Sequence, residues 1–400
     1  MLHGKHILLG VSSSIALYKA ASVCSALKKL GADVHVLMTE NATKMMAPVI
    51  FEQLTGNRAC VDTFDRNFEW KVEHISLAKM ADLLLVAPAT ANVCAKLAHG
   101  IADDMLTTTA LACTCPKLIA PAMNTRMFEN PVTQENLQTL RRFGWQVIEP
   151  ASGHLACGDS GAGKLPEPET LVQFVRQELE YEKDLQGLRV LVTVGPSREA
   201  LDPVRYLSNR STGKMGYAVA RAAAARGAQV TLISGPVDLA PPPFLTTVSV
   251  VSAEEMYQGV TSRFPQTDIV IKAAAVADYR PAEVAGDKIK KGDGEMSIPL
   301  MRTRDILGFL GEHRRPDQTL CGFSMETRDM LENSRRKLEK KHLDLIAANN
   351  VKVPGAGFAV DTNVLTLITR DREEELPLLS KDEAAHRLLD AVVALRRQAE

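Results

Sequence analysis

Residues 5–39 read KHILLGVSSSIALYKAASVCSALKKLGADVHVLMT. The first eight predict a buried strand, SIALYKAASVCSALKKLG predicts a helix that ends at Gly31, and ADVHVLMT predicts a second strand. A strand, a helix and a strand in this order form the repeating unit of an open α/β sheet. The stretch therefore predicts an α/β fold whose strands run parallel.

Three more apolar runs continue this pattern. They are ADLLLVAPAT (81–90), PKLIAPAMN (116–124) and WQVIEP (145–150), and PETLVQFVRQELE (168–180) predicts a closing helix. Continuous rather than alternating apolar strands are typical of sheets with helices on both faces.

A second strand–helix–strand pattern follows the charged stretch RQELEYEKDLQG at 176–187. After it come a strand (LRVLVTVGP), a helix (YAVARAAAARGA), a strand (QVTLISGP) and the buried strand of TDIVIKAAAVADY. We therefore predict two doubly wound, Rossmann-like domains, 1–185 and 186–400. Their ligands should lie beyond the carboxyl ends of the strands.

Composition argues against several classes of protein. The net charge of the 400 residues is −1, so we expect no nucleic-acid partner. No apolar run reaches the roughly 20 residues of a membrane helix. The seven cysteines show no framework spacing, which indicates reduced thiols and a cytoplasmic protein. We interpret the CTC at 113–115 as packing rather than as a zinc site.

The stretch GHLACGDSGAGK (153–164) contains the P-loop pattern G-x-x-x-x-G-K. A P-loop needs Ser or Thr next, where this chain has Leu165, and a helix where Pro166 follows. We therefore interpret it as a mobile, glycine-rich loop that carries Cys157. By itself this cysteine is either an active thiol or a structural one.

Small and polar residues follow the predicted strands of the first half. GVSSSIA is either a phosphate-binding turn or a helix cap. Without G-x-G-x-x-G or an acid for a ribose, a mononucleotide fits better than a dinucleotide. Asn92 and Asn124 suit a flat heterocycle or a carboxylate, His74 is structural or catalytic, and Asp103 and Asp104 are expected to begin a helix.

The second half contains two groups of lysines that are candidates for binding an anion. DKIKK (287–291) is either a solvated loop or a clamp on a triphosphate. Lys337 and Lys341 lie four apart, on one face of a helix that is either exposed or anion-binding. TGK at 212–214 lacks a glycine at P-loop spacing.

The motifs together resemble known families. GVSSSIALYK, HISLAK, APATAN with GIADDM, PAMNTRM and HLACGDSGAGK resemble flavin-dependent cysteine decarboxylases. The motifs GPSREALDPVRYLSNRSTGKMGYA, KAAAVADYRP, DKIKK and GFSMET resemble a phosphopantothenate–cysteine ligase domain. The whole chain is thus similar to the bifunctional bacterial phosphopantothenoylcysteine decarboxylase/phosphopantothenate–cysteine ligases of coenzyme A biosynthesis. Ser13, Lys164 and Phe128 depart from the Gly, Arg and Trp usual in this family.

For the first half, the resemblance implies an FMN-dependent oxidation of the cysteinyl thiol to a thioaldehyde, loss of carbon dioxide, and reduction of the enethiolate. His74 would assist the oxidation, Asn124 would hold the carboxylate, and Cys157, on a lid, would donate a proton. The implied FMN contacts are Gly10, Ser12, Ser14, Thr39, Pro88, Thr90 and Asn92.

For the second half, the resemblance implies that CTP and Mg²⁺ convert 4′-phosphopantothenate to an acyl-cytidylate, which the amine of cysteine then attacks. Lys288 would assist the first step and Asn209 the second. The implied CTP contacts are Ala273, Ala274, Asp278, Lys288, Asp305, Ile306, Phe323, Lys337 and Lys341.

The resemblance also implies a homo-oligomer, a dodecamer of decarboxylase trimers with dimeric ligase domains. Two alternatives remain open from the residues. One is a prenyl-flavin synthase-like protein fused to a nucleotide-binding domain, and the other is a non-catalytic regulatory subunit.

Overall fold

The computed structural model describes residues 2–64, 73–154, 160–242, 244–291, 295–326, 329–350, 357 and 360–399. The chain divides into two compact units, Met1–Tyr181 and Glu182–Glu400. Each unit has a mainly parallel sheet covered by helices, so the predicted α/β class is confirmed.

In the described residues of the first unit, five parallel strands pair in the order β2-β1-β3-β4-β5. They are β1 His6–Val11, β2 Asp33–Met38, β3 Leu83–Ala89, β4 Lys117–Pro121 and β5 Trp145–Val147. The helices are α1 Leu17–Lys29, α2 Glu40–Thr43, α3 Pro48–Thr55, α4 Glu73–Met80, α5 Ala91–His99, α6 Met105–Ala112, α7 Thr125–Glu129, α8 Pro131–Arg142 and α9 Pro168–Leu179. Every residue of β3 is buried, as its continuous apolar sequence predicts.

The glycine-rich stretch forms the arms of an antiparallel hairpin. They are β6 (Ala151–His154) and β7 (Ser160–Lys164). A P-loop would leave a strand and enter a helix directly, so its exclusion is confirmed. Cys157 lies outside the described residues.

The described residues of the second unit form a sheet in the order β12-β11-β8-β13-β16-β17-β19-β20. Its strands are β8 Arg189–Val194, β11 Gln229–Ser234, β12 Thr246–Ser249, β13 Ile269–Lys272, β16 Thr319–Glu326, β17 Leu345–Asn350, β19 Leu365–Ile368 and β20 Glu373–Glu375. The pairs β17–β19 and β19–β20 are antiparallel, and the other pairs are parallel.

Short strand pairs and helices surround this sheet. The paired short strands are β9 Arg198–Ala200 with β10 Tyr206–Ser208, β14 Tyr279–Pro281 with β15 Leu300–Arg302, and β18 Thr362–Asn363 with β21 Leu379–Ser380. The helices are α10 Lys214–Ala225, α11 Ala253–Thr261, α12 Ile306–His313, α13 Met330–Lys340 and α14 Lys381–Ala399, with a 3₁₀ turn at Phe264–Gln266.

Close packing of α10 against the second sheet depends on small residues. A Cβ on Gly216 would lie 2.8 Å from Cβ of Val194, and the alanines that follow it are mostly buried. Leu185, inside the charged stretch, is also fully buried in this core. The core of the second unit therefore includes residues that precede β8.

One buried arginine connects three parts of the second unit. The guanidinium of Arg226, at the end of α10, binds both carboxylate oxygens of Asp184 at 2.8 and 2.5 Å. It also donates to Asp390 on α14 at 2.8 Å. The hydrogen bond from Arg226 lowers the pKa of Asp184 below its ordinary 3.8.

We predict that Arg226→Met lowers the free energy of unfolding by up to about 3–5 kcal/mol, because it removes the guanidinium bound to the mostly buried carboxylate of Asp184. Arg221→Met is the matched control, because its 2.7 Å pair with Asp382 also joins α10 to α14 but is exposed. It should cost less than about 1 kcal/mol.

The stability lost in Arg226→Met should depend on pH. A carboxyl group whose pKa is lowered by folding stabilises the fold above its ordinary pKa, and this contribution is lost as the pH falls further. We therefore expect the difference in free energy of unfolding between the wild type and Arg226→Met to narrow below about pH 4. Urea denaturation monitored by circular dichroism measures this difference. A difference that is constant with pH, or equal for both variants, would refute this role for Arg226.

Candidate functional site

The carboxyl ends of β1 and β3 are joined by one buried hydroxyl. Oγ of Ser12 donates to the carbonyl of Pro88 at 2.8 Å and accepts from the backbone N–H of Thr90 at 2.9 Å. The Ala87–Pro88 peptide bond is cis. Ser12 thereby supports the turn by which the chain leaves β3 and enters α5.

Two polar side chains cap the helices at this edge. Thr90 precedes α5, and its hydroxyl accepts from the N–H of Val93 at 3.4 Å. Asn124 precedes α7, and its Oδ1 accepts from the N–H of Arg126 at 2.8 Å. By contrast, α1 begins at Leu17 after Ala16, without a side-chain cap. The three serines of GVSSSIA are therefore not its N-cap.

The hairpin lies directly on the residues that follow β4. The N–H of Met123 donates to the carbonyl of Gly163 at 3.0 Å. Gly163 has φ +129°, and a Cβ there would lie 2.3 Å from the carbonyl oxygen of Met123. A Cβ on Gly161 would meet Thr125 at 2.7 Å. Glycine at both positions permits this close approach.

A buried lysine holds the end of the hairpin. Nζ of Lys19, on α1, donates to the carbonyl of Leu165 at 3.0 Å and to Glu167 at 2.9 Å. The hydrogen bond from Lys19 lowers the pKa of the Glu167 carboxyl. Nζ of Lys164 lies 3.7 Å from the same carboxylate.

A cavity of about 400 Å³ opens between these elements. Its lining consists of Ser13, Ser14, Ile15, Ala16, Tyr18, Lys19, Thr90, Ala91, Ala122, Met123, Asn124, Met127, Gly163, Lys164 and Leu165. The exposed apolar residues at this cavity are Ile15, Tyr18 and Met127, with exposed fractions of 68%, 60% and 50%. The cavity thus combines a polar edge with a large apolar surface.

The structure brings together only part of the predicted flavin site. Ser14, Thr90 and Asn124 line the cavity, and Ser12 lies behind it. The other predicted residues do not line it within the described residues of one chain: Gly10, Thr39, Pro88, Asn92 and His74.

These five residues have other local positions. Gly10 packs against Leu106, where a Cβ would lie 3.0 Å from Cδ1. Thr39 caps α2, and Pro88 is buried within β3. Asn92 is exposed on α5, and His74 is half-buried on α4.

Several lining residues were missed from the sequence. Tyr18 and Lys19 are one helical turn after the serines, and Met127 follows PAMN, so the motifs themselves contained them. Of the three departures from the family, Ser13 and Lys164 line the cavity, whereas Phe128 packs against the core.

The second unit has its own polar cavity, of about 430 Å³. Its lining consists of Lys272, Val276, Ala277, Asp278, Tyr279, Arg302, Thr303, Arg304, Asp305, Ile306, Leu307, Lys337 and Lys341. Five of the predicted CTP contacts are among them: Asp278, Asp305, Ile306, Lys337 and Lys341. The missed basic residues are Lys272, Arg302 and Arg304.

The lysines of this cavity are held by oxygen atoms of the protein. Nζ of Lys337 donates to the carbonyl of Phe323 at 2.9 Å, and Nζ of Lys341 contacts the carboxylate of Asp305. Asp305 also caps α12 through the N–H of Gly308 at 2.9 Å. Burial, together with the positive charge of Lys337, lowers the pKa of Lys272 to about 8.

The remaining predicted residues lie beside the cavity. Ala273 and Ala274 donate backbone N–H groups to Thr193, both at 3.2 Å. Phe323 contributes its carbonyl to Lys337. Nδ2 of Asn209 donates to the carbonyl of Ala275 at 2.8 Å.

The lysine-rich loop is anchored in its middle. The N–H of Ile289 donates to Asp202 at 3.1 Å, and Arg205 donates to the carbonyl of Ile289 at 2.8 Å. Hydrogen bonding from Arg205 lowers the pKa of Asp202. Lys288 is exposed and does not line the cavity, so the segment is an exposed loop that is anchored at Ile289.

Comparison with known proteins assigns both units. Residues 1–180 match the family described as "Flavoprotein", and residues 185–395 match the "DNA/pantothenate metabolism flavoprotein C-terminal domain". The coenzyme A biosynthesis bifunctional protein CoaBC of Bacillus subtilis (strain 168) is 48% identical over 402 residues, covering 100% of this chain and 99% of the relative.

The chain belongs to this bifunctional family. The CoaBC bifunctional protein of Escherichia coli (strain K12) is 43% identical over 396 residues, which cover 98% of this chain and 97% of that relative. The predicted family, a flavoprotein half, and paired decarboxylase and ligase activities on small molecules of coenzyme A biosynthesis are thus confirmed.

Solved structures match each half of this family member separately. The C-terminal domain of a CoaBC protein is 41% identical, with a TM-score of 0.47, and covers 54% of this chain and 100% of that one. The FMN-dependent cysteine decarboxylase SpaF is 34% identical, with a TM-score of 0.39, and covers 44% of this chain and 99% of its own. In the described part of the chain, no helix is both long and apolar enough to cross a bilayer.

We predict that Gly163→Ala lowers the flavin content of the purified protein, because the new Cβ forces β7 away from Met123. Gly153→Ala is the matched control in the same hairpin, because φ there is also positive (+155°) but the nearest atom is 4.0 Å from the new Cβ. The ratio of flavin absorbance to protein should fall severalfold only in Gly163→Ala. Equal losses in both variants would mean that backbone strain, and not the contact with Met123, is responsible.

Proposed function

We propose that this cytoplasmic protein makes 4′-phosphopantothenoylcysteine in its second unit and decarboxylates it to 4′-phosphopantetheine in its first. The ligase would use 4′-phosphopantothenate, cysteine, CTP and Mg²⁺, and the decarboxylase would use FMN. The observation that carries the proposal is the chemical contrast between the two cavities. One has amide, hydroxyl and apolar groups under a glycine-rich hairpin, and the other has converging cations.

The residues of the first cavity fit FMN. Ser14 and Thr90 lie where the chain turns from a strand into a helix, and such turns offer N–H groups to a phosphate. Ile15, Tyr18 and Met127 provide apolar surface for an aromatic ring system. When bound, FMN supplies the two-electron oxidation and reduction that decarboxylation of a cysteinyl group needs.

Three residues would act on the substrate. Asn124 lies at the cavity, so its amide would hold the carboxylate that is lost. His74 would activate the substrate thiol, and Cys157 would protonate carbon after the loss of carbon dioxide. The assignments of His74 and Cys157 rest on the family resemblance, and Cys157 lies outside the described residues.

A homo-oligomer agrees with two features of the first unit. Ile15, Tyr18 and Met127 are exposed at the cavity, and a second copy would cover them. His74 does not line the cavity of its own chain, and a neighbouring copy is a route by which a histidine could reach it. We propose decarboxylase trimers, assembled into a dodecamer with paired ligase units.

In the ligase cavity, the positive charges would neutralise the triphosphate of CTP. Lys272, Lys337 and Lys341 face one space, and Mg²⁺ would enter with the nucleotide. Exposed Lys288 would assist formation of the acyl-cytidylate. The Asn209 amide would donate to the oxyanion that forms when cysteine attacks.

The family to which the chain belongs has both activities, and the two alternatives of the sequence analysis would behave differently. A prenyl-flavin synthase-like protein would not release pyrophosphate from CTP with 4′-phosphopantothenate, and a non-catalytic subunit would turn over neither substrate. Assays of both half-reactions on the full-length protein distinguish all three.

Variants should separate the steps of these reactions. Lys288→Gln should block pyrophosphate release, whereas Asn209→Asp should release pyrophosphate but accumulate the acyl-cytidylate in the presence of cysteine. Losing an oxyanion donor costs about 3–4 kcal/mol, or roughly a hundred- to a thousandfold in rate. Cys157→Ser should leave an oxidised product that has lost carbon dioxide, detected by mass spectrometry.

Each variant carries its own control, because the other half-reaction should keep its full rate. The division of roles is wrong if both ligase variants stop at the same step, or if either abolishes decarboxylation. Normal 4′-phosphopantetheine from Cys157→Ser would exclude this cysteine as the acid.

Lys272 should make the KM of the ligase for CTP depend on pH. Its pKa of about 8 means that the free enzyme loses this positive charge as the pH rises through 8. We predict that KM for CTP of the wild type rises between pH 7 and 9, whereas that of Lys272→Met is already about tenfold higher at pH 7, equivalent to about 1.4 kcal/mol.

The matched control is Lys340→Met, because Lys340 is exposed on α13 and does not line the cavity. It should follow the pH profile of the wild type. The role of Lys272 would be disproved if Lys272→Met kept the rise in KM with pH.

A further inference from the structure

A cluster of two histidines and an aspartate lies at the amino-terminal end of β1 and β2. His6 begins to pair with β2 opposite Asp33 in the parallel register, and His35 is two residues after Asp33. Because residues two apart on a strand share a face, the register brings all three side chains to one side of the sheet. This edge is opposite the one that carries the flavin cavity.

The side-chain atoms converge on a single oxygen. Nδ1 of His6 lies 3.1 Å and Nε2 of His35 lies 3.0 Å from Oδ2 of Asp33. These three atoms all lie within 4.8 Å of one another. Tetrahedral zinc, with bonds of about 2.0–2.1 Å, holds neighbouring ligand atoms roughly 3.3 Å apart. The two separations between a histidine nitrogen and Asp33 are therefore already close to that spacing.

A neighbouring amide fixes the carboxylate. Nδ2 of Asn57 donates to Oδ1 of Asp33 at 2.7 Å and to the carbonyl of Val34 at 2.9 Å. This hydrogen bond leaves Oδ2 directed at the two imidazoles. Partners of this kind, which orient a ligand without touching the ion, are typical of metal sites in proteins.

The lysine that precedes His6 in sequence is already paired, and the cluster is open to solvent. The nearest positive side chain along the chain, Lys5, pairs with Asp82 at 3.2 Å, and Asp82 also accepts from the N–H of His6 at 2.8 Å. The side chains of His6 and Asp33 are 40% and 39% exposed, so an ion and its water have access.

We propose that His6, Asp33 and His35 bind one zinc ion, with water completing its coordination. Imidazole and carboxylate without thiolate suit a borderline divalent cation. The ion would cross-link β1 to β2 and stabilise the first unit. It would take no part in either reaction, because the ligands lie at the strand ends remote from Ser12 and the cavity.

The test uses the full-length, flavin-loaded protein after treatment with a chelator. Titration with Co²⁺ should give one equivalent bound through the cluster, with visible bands at longer wavelengths than the flavin absorbs and no thiolate charge-transfer band. Zn²⁺ should displace the Co²⁺ and raise the melting temperature. Decarboxylase and ligase rates should not change.

Variants assign the ligands. His35→Gln should abolish the Co²⁺ bands and the thermal shift, and Asn57→Ala should weaken binding by about ten- to a hundredfold. His99→Gln is the matched control, because this histidine bonds to Asn136 at 3.0 Å outside the cluster. It should bind Co²⁺ as the wild type does.

Three results would overturn the proposal. They are no Co²⁺ or Zn²⁺ binding by the wild type at 100-fold molar excess, unchanged binding by a folded His35→Gln, and a thiolate charge-transfer band for the bound ion. In each case the three side chains are a hydrogen-bonded group that does not hold a metal.

Discussion

The parallel direction of neighbouring strands is the constraint on which both sites depend. Parallel pairing puts the carboxyl ends of β1, β3 and β4 at one edge, so that Ser14, Thr90 and Asn124 meet although they are far apart in sequence. In the second unit, the same rule brings the residues after β13 and β16 together. Each cavity is thus a consequence of strand direction before any side chain is considered.

The hairpin beside the first cavity contacts the residues after β4 through backbone atoms. Gly163 approaches the carbonyl oxygen of Met123 so closely that a Cβ would collide with it. The hydrogen bonds from Lys19 to Leu165 and Glu167 offset the cost of burying its ammonium group. The described arms of the hairpin are thus held against the residues that follow β4 and against α1. Within the described part of the G-x-x-x-x-G-K pattern, Gly161 and Gly163 serve close packing.

The cavity of the second unit follows a different electrostatic principle. Several cations share one space, and the burial and repulsion that lower the pKa of Lys272 are unfavourable in the free protein. Asp305 and the carbonyl of Phe323 offset part of this cost. A polyanion bound there would offset more of this cost.

The sequence by itself determined the α/β class, the strand order along the chain, the family and the residues at strand ends, because apolar runs and turn motifs are local. It also contained Tyr18 and Lys272 within recognised motifs, but without a reason to select them. Only the tertiary structure decided that Lys272 faces Lys337, that His74 does not line the cavity of its own chain, and that His6 meets His35. These facts depend on register, helix rotation and close backbone contact, which are long-range properties that no local pattern encodes.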